Sequence, residues 1–163
     1  MILSSQSIWN LCNPPQHGGH RPMIDPFHER TVAHGMTFGL GPAGYDVRLA
    51  EDVKLPAGGF ALASTMERFV IPDDVIAFAM DKSSWARRGL SLFNTVLEPG
   101  WEGFLTLELS NAGPTWMTIT AGTPIAQIVF QRLDAPTVRP YGGRYQNQEA
   151  GPQPAREAKA GDR

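Results

Sequence analysis

The chain reads as an all-β domain, mainly strands with few short helices, on three observations. From Met36 onward, short alternating apolar segments are separated by Gly41-Pro42, Pro56-Ala57-Gly58-Gly59, Pro72-Asp73-Asp74, Pro99-Gly100, Asn111-Ala112-Gly113-Pro114 and Ala121-Gly122. Punctuation at that spacing belongs to sandwiches and barrels. The 14 Pro and 17 Gly supply tight connections, and neither a long amphipathic helix nor a repeat of fixed period is visible.

Ile2 and Leu3 predict a short strand, and Ser4 to Ser7 then cap a helical turn carrying Ile8 and Trp9. Asn13 to Arg30, rich in Pro, Gly and His without an apolar period, predicts a long surface loop or arm. Strands are predicted at Phe60 to Thr65, Val75 to Met80, Leu90 to Leu97, Phe104 to Leu109, Met117 to Thr120 and Ile125 to Leu133. A helical turn capped by Ser83 or Ser84 would end at Gly89. Pro99-Gly100 fits the centre of a type II turn, setting Leu97-Glu98 against Trp101-Glu102 in a hairpin. In the returning strand Leu105, Leu107 and Leu109 share one face, and Phe104, Thr106 and Glu108 the other. Residues 149 to 163, rich in Ala, Pro, Gly and charge, predict a disordered tail, leaving one domain over 1 to 148.

A chain of 163 residues can bury a core without staples. With 14 Lys+Arg against 16 Asp+Glu, the net charge of -2 offers nucleic acid no global attraction, so any phosphate site must be a local cluster. Cys12 is the lone cysteine, which excludes an internal disulfide and a Cys-x-x-Cys zinc site and suits a reducing cytoplasm. No signal-like start or run of membrane-spanning length is seen, so a cytoplasmic protein that engages no membrane is expected. His17, His20, His28 and His34 lack the spacing of a metal site and read as loop residues.

Two features carry chemistry. Lys82, Ser83, Ser84, Arg87 and Arg88 gather donors for phosphate oxygens, although a capped turn with a solvated basic face would have the same composition. Glu108, next to Phe104 and the Trp101 turn, is a carboxylate whose partial desolvation would raise its pKa, or an ordinary outward-facing Glu. Tyr141-Gly142-Gly143-Arg144-Tyr145 has the mix of a lid, or of a loose arm.

The blocks Lys82-Ser83-Ser84-Trp85-Ala86-Arg87, Leu97-Glu98-Pro99-Gly100-Trp101-Glu102-Gly103, Thr106-Leu107-Glu108-Leu109-Ser110-Asn111 and Gly143-Arg144-Tyr145-Gln146-Asn147-Gln148 resemble the dCTP deaminases. Gly44 to Leu49 and Gly122 to Gln127 add to the match. The resemblance implies the dUTPase-like fold, a distorted β-barrel or jelly-roll-like β-clip, in a homotrimer with shared active sites. It implies hydrolysis of dCTP to dUTP and ammonia, feeding dUMP and dTTP synthesis, with dTTP as a feedback inhibitor. Glu108 would be the general base, Ser83 would hold the water, and Arg87 would orient Glu108 and the base. Lys82, Ser84, Trp85 and Ala86 would meet the triphosphate, Glu98 the deoxyribose, and Thr106 and Leu107 the nucleobase. Gln127, Tyr141, Arg144 and Gln148 would add phosphate contacts from the far side. Lys82 replaces the Arg of many members, keeping charge and losing bidentate geometry.

Mg²⁺ would arrive with the triphosphate rather than on protein ligands. Zinc-dependent deamination needs a Pro-Cys-x-x-Cys motif that one cysteine cannot supply. Two other readings stand beside this one. A dUTP pyrophosphatase, or a bifunctional deaminase and pyrophosphatase, would need an Asp where Glu98 stands, and the added methylene displaces the carboxylate. A non-catalytic regulatory trimer that binds nucleotide would lack the acid–base residue, whereas Glu108 is present with Ser83 and Arg87.

Overall fold

The structure, a computed structural model, describes residues 1–14, 21–93 and 95–157, so His17, His20 and Asn94 lie outside the described residues. In chain order the elements are α1 (Ser5–Cys12), β1 (Ile24–Asp25), β2 (Thr31–Ala33), β3 (Met36–Gly41), β4 (Gly44–Arg48), β5 (Val53–Leu55) and β6 (Phe60–Val70). They continue with β7 (Val75–Asp81), α2 (Ser83–Ala86), β8 (Leu90–Leu92), β9 (Val96–Leu97), β10 (Glu102–Asn111), β11 (Met117–Ile119) and β12 (Pro124–Arg132). The strands form a four-stranded sheet β1-β6-β10-β8, a six-stranded sheet β2-β3-β4-β12-β7-β9 and a ribbon β11-β5. The expected all-β class is what the molecule has, built from open sheets with no closed barrel among the described residues. Also among those residues, no helix is long and apolar enough to cross a membrane.

Both large sheets feed one core. Tyr45 and Phe130 come from the six-stranded sheet, and Phe69, Leu107 and Leu109 from the four-stranded one, all essentially inaccessible. Each such side chain contributes roughly 1.5–3 kcal/mol relative to exposure. Ser4 caps α1 as expected, its hydroxyl accepting from Ser7 N. That helix buries Ile8 and Cys12, and burial pushes the Cys12 thiol up to about 12, leaving it unreactive at neutral pH.

Several expectations change. The arm expected over 13 to 30 contributes β1, because Met23 and Ile24 enter the core and Ile24 pairs with Phe69. The strand expected to end at Thr65 runs to Val70. Its charged interior is answered inside the protein: Glu67, fully buried, accepts from Arg48 N at 2.9 Å and Arg48 Nε at 2.8 Å, joining β6 to β4. The strand expected over 90 to 97 is split, β8 pairing with β10 in one sheet and β9 with β7 in the other. Pro99-Gly100 does make the expected tight turn, with Gly100 at φ 82 and Trp101 N donating to Glu98 O at 3.0 Å. It links the two sheets, however, rather than closing a hairpin, since β9 and β10 have different partners.

Candidate active site

β10 carries a register shift between Phe104 and Thr106, where Leu105 N donates to Thr65 Oγ1 at 3.0 Å. Such a bulge re-aims the side chains around it. Leu105, not Phe104, therefore joins Thr106 and Glu108 in lining a cavity of about 430 Å³. Phe60 and Leu62 of β6 extend that floor, Thr95, Val96, Glu98 and Trp101 make one wall, and the C-terminal segment makes the other. Phe104, expected to desolvate Glu108, is not at the cavity, where Leu105 and Leu62, the cross-strand partner of Glu108, stand instead.

Glu108 is half-buried, and its Oε2 is closed off from solvent without a hydrogen-bond partner. Burial raises its pKa, and its own backbone amide offsets this in part. Thr106 Oγ1 accepts from Gln148 Nε2 at 2.5 Å and from Gln153 N at 3.0 Å. Glu98 is exposed at the edge of the cavity. Tyr141 lines it and is held by its N–H on Pro99 O at 2.8 Å.

The structure thus brings Glu108, Thr106, Glu98, Tyr141 and Gln148 around one space. Arg144 stands just outside, with its guanidinium over the Tyr145 ring. Leu107 is not at the cavity: its side chain is fully buried in the core, as alternation along β10 requires. None of residues 82 to 87 lines the cavity either. Ser83, Ala86 and Arg87 are exposed, Ser84 is half-buried, and no side-chain hydrogen bond caps α2 at its Lys82 N-cap, so neither serine is the cap that was expected. Lys82 is buried, with Nζ 2.6 Å from Asp46 Oδ2, which occupies the charge expected to meet phosphate. Trp85 is also buried, its indole N–H donating to Pro124 O at 2.8 Å. Gln127 lies on β12 opposite Asp46 and Met80, away from the cavity.

Tyr145, expected only as part of a lid or loose arm, lines the cavity, as do Gln153, Pro154 and Ala155, for which the sequence predicts no role. Tyr145 lay inside a recognisable block, whereas composition alone made 149 to 157 a tail. Within that stretch Arg156 N donates to Tyr145 Oη at 2.9 Å, and 158 to 163 lie outside the described residues.

A family model described as dCTP deaminase-like matches residues 45–133. A dCTP deaminase of Campylobacter jejuni is 35% identical over 161 residues, covering 78% of this chain and 87% of the relative. One from Gemmatimonas aurantiaca is 35% identical over 166 residues, covering 82% and 88%. Among solved structures, the EIAV dUTPase superimposes with a TM-score of 0.55 at 18% identity, covering 73% of this chain and 96% of that one. The dUTPase from phage phi11 of S. aureus gives 0.56 at 17% identity, covering 75% and 94%. At such identities the structural likeness concerns the fold.

Proposed function

The chain belongs to the dCTP deaminase-like family, and from that premise we propose that it hydrolyses dCTP to dUTP and ammonia with Glu108 as general base. The observation that carries this reading is the Glu108 carboxylate, raised in pKa and unpartnered at Oε2, facing a largely apolar cavity of about 430 Å³. Small-molecule sites occupy about 300–1,000 Å³. A base poised toward neutrality transfers protons most effectively.

In the proposed reaction Glu108 removes a proton from water as the oxygen attacks C4 of cytosine. Glu108 then returns that proton to the exocyclic nitrogen, the C–N bond breaks, and ammonia leaves. Of the two hydrogens of water, one ends on ammonia and the other on N3 of the new uracil. Thr106 would meet the nucleobase and Glu98 the deoxyribose, while Tyr141, Arg144 and Gln148 hold phosphates from this chain. Leu107 would contribute main chain only.

Ser83 and Arg87 are exposed and outside the cavity, which supports a site completed by the same turn of a neighbouring copy in a homotrimer. There Ser83 would hold the water, Arg87 would orient Glu108, and Ser84 and Ala86 would meet the triphosphate. Lys82 and Gln127 are left out, the first because Asp46 holds its ammonium. Exposed Phe60 and Val96 at the cavity, with exposed Phe93 against the Phe60 ring, would give that contact apolar area. Among the described residues no group of three His, Cys, Asp or Glu gathers to hold a metal. Mg²⁺ would come as a companion of the triphosphate, with phosphate oxygens as its hard ligands. The proposal needs no catalytic zinc, and dTTP would compete for the same cavity.

Ammonia and pyrophosphate measured separately from dCTP and dUTP test the reading. Ammonia from dCTP without pyrophosphate supports it. Pyrophosphate from dUTP without ammonia from dCTP would replace it with the pyrophosphatase reading that the fold neighbours share.

A further inference from the structure

From Lys82 to Arg87 the side chains divide by burial. Lys82 and Trp85 are buried, whereas Ser83, Ala86 and Arg87 are exposed. Lys82 Nζ lies 2.6 Å from Asp46 Oδ2, and the Trp85 indole N–H donates to Pro124 O at 2.8 Å. Both anchors end on one pair of strands, Asp46 on β4 opposite Gln127, and Pro124 at the start of β12 opposite Arg48. The turn that carries Ser83 and Arg87 is thus rooted in the six-stranded sheet at two points.

The two roots differ in kind. Trp85 is an aromatic body, with the Arg88 guanidinium 4.9 Å from its ring centre. Lys82 is a charge whose side chain is 8% exposed, and Asp46 is its one ion-pair partner among the described residues. The adjacent Asp81 is exposed, and its Oδ1 accepts from Leu92 N at 2.7 Å. A buried ammonium left without its carboxylate is strongly unfavourable, so it moves toward water and draws its backbone along. That backbone is the N-cap of α2, which no side-chain hydrogen bond holds. There Lys82 O accepts from Trp85 N at 2.9 Å and Ala86 N at 3.0 Å, and Ser83 O accepts from Arg87 N at 3.1 Å. A shift at Lys82 therefore passes directly to Ser83 and Arg87.

We propose that Asp46 is a positioning residue for the reaction, acting through Lys82 to set the turn that carries Ser83 and Arg87. The proposal rests on the reading of those two residues as parts of the deaminase site and extends it to a carboxylate on another strand, 36 residues before the turn. Asp46 does not line the cavity, so its effect is one of placement. Misplacing a group by about 1 Å costs on the order of 100-fold in rate. Charge is the working property, since Asn in place of Asp keeps the shape and leaves the ammonium buried and unanswered.

The test uses the full chain, as assembled protein isolated by gel filtration, in wild-type, D46N, D46E, K82M and D46N/K82M forms. It reads kcat and the dissociation constant for dCTP. D46N lowers kcat about tenfold or more and weakens dCTP binding about threefold or more, because Ser84 and Ala86 move with the turn. D46E, which keeps the charge, falls between D46N and wild type. In the K82M background D46N costs less than about twofold further in either quantity, because the route runs through the ammonium. Where D46N does not assemble, D46E against D46E/K82M makes the same comparison. Mixed refolding adds a measurement that a loss of stability would not move: D46N regains activity with E108Q, which brings an intact turn, and not with R87A, whose turn is also defective. D46N with wild-type kcat overturns the proposal, as do equal losses with and without Lys82, or recovery with R87A. Failure of the deaminase reading shows separately, as wild-type protein that binds dCTP but releases no ammonia, and failure of the shared site as no recovery between E108Q and R87A. In both cases the coupling of D46N to K82M in dCTP affinity still decides whether Asp46 acts through Lys82.

Discussion

Gln148 donates its side-chain amide to Thr106 Oγ1, and this contact fastens the C-terminal segment to the strand that carries Glu108. Gln148 also pairs with Gly103 through its main chain. Gly103 sits at φ +144, where a Cβ would lie 2.6 Å from Gln148 N. Gly103→Ala should therefore dislodge that segment, costing on the order of 1–3 kcal/mol of stability and weakening dCTP binding. Thermal melts with nucleotide titrations check both effects.

The pH response follows from Glu108. Its burial raises the pKa, so under the proposed mechanism activity with dCTP should fall on the acid side as the pH drops through that raised value, because the proposed base is then protonated. For stability the sign is opposite. The folded state binds the Glu108 proton more tightly than the unfolded chain, so this group's contribution is complete below the unfolded carboxylate pKa of about 4.3 and declines as the pH rises through the folded value. Glu108→Gln should accordingly raise Tm at neutral pH and leave it nearly unchanged near pH 4. Melts across that range provide the check.

A shared site makes a complementation prediction. Glu108→Gln and Arg87→Ala proteins, each expected to be inactive alone, should regain activity when unfolded together and refolded, because in the proposed homotrimer mixed assemblies would contain sites with one intact Glu108 and one intact Arg87. No recovery would place both groups' action within one chain.

Arg48 and Glu67 form a buried pair, and Arg48 also stacks over Phe38 at 4.5 Å. Arg48→Met removes the partner of a fully buried carboxylate and should cost about 3–5 kcal/mol. Denaturant unfolding of the variant measures it, with the double variant carrying Glu67→Gln recovering part of the loss.

The strands were legible where alternation was uninterrupted, as in β7 and β12, and the turn at Gly100 could be read from Pro-Gly alone. What escaped depended on tertiary partners. Glu67 and Arg68 looked like a strand end because nothing local reveals that Arg48 waits on β4 for Glu67. The bulge at Leu105 left no mark in an alternating run and exchanged Phe104 for Leu105 at the cavity. At the site, Glu108 and Thr106 stood on the expected face, but the capture of Lys82 by Asp46, 36 residues away, could not be seen from the motif. The role of 149–157 was hidden because its contacts are backbone amides and Tyr145 rather than apolar periodicity.

The most direct test is Glu108→Gln, a near-isosteric change that keeps the cavity and removes the proton acceptor. Ammonia release from dCTP should drop by about 10²–10⁴-fold or more, while calorimetric titration finds dCTP binding within a few-fold of wild type. Ammonia release at the wild-type rate from that variant would contradict the assignment of Glu108 as the base.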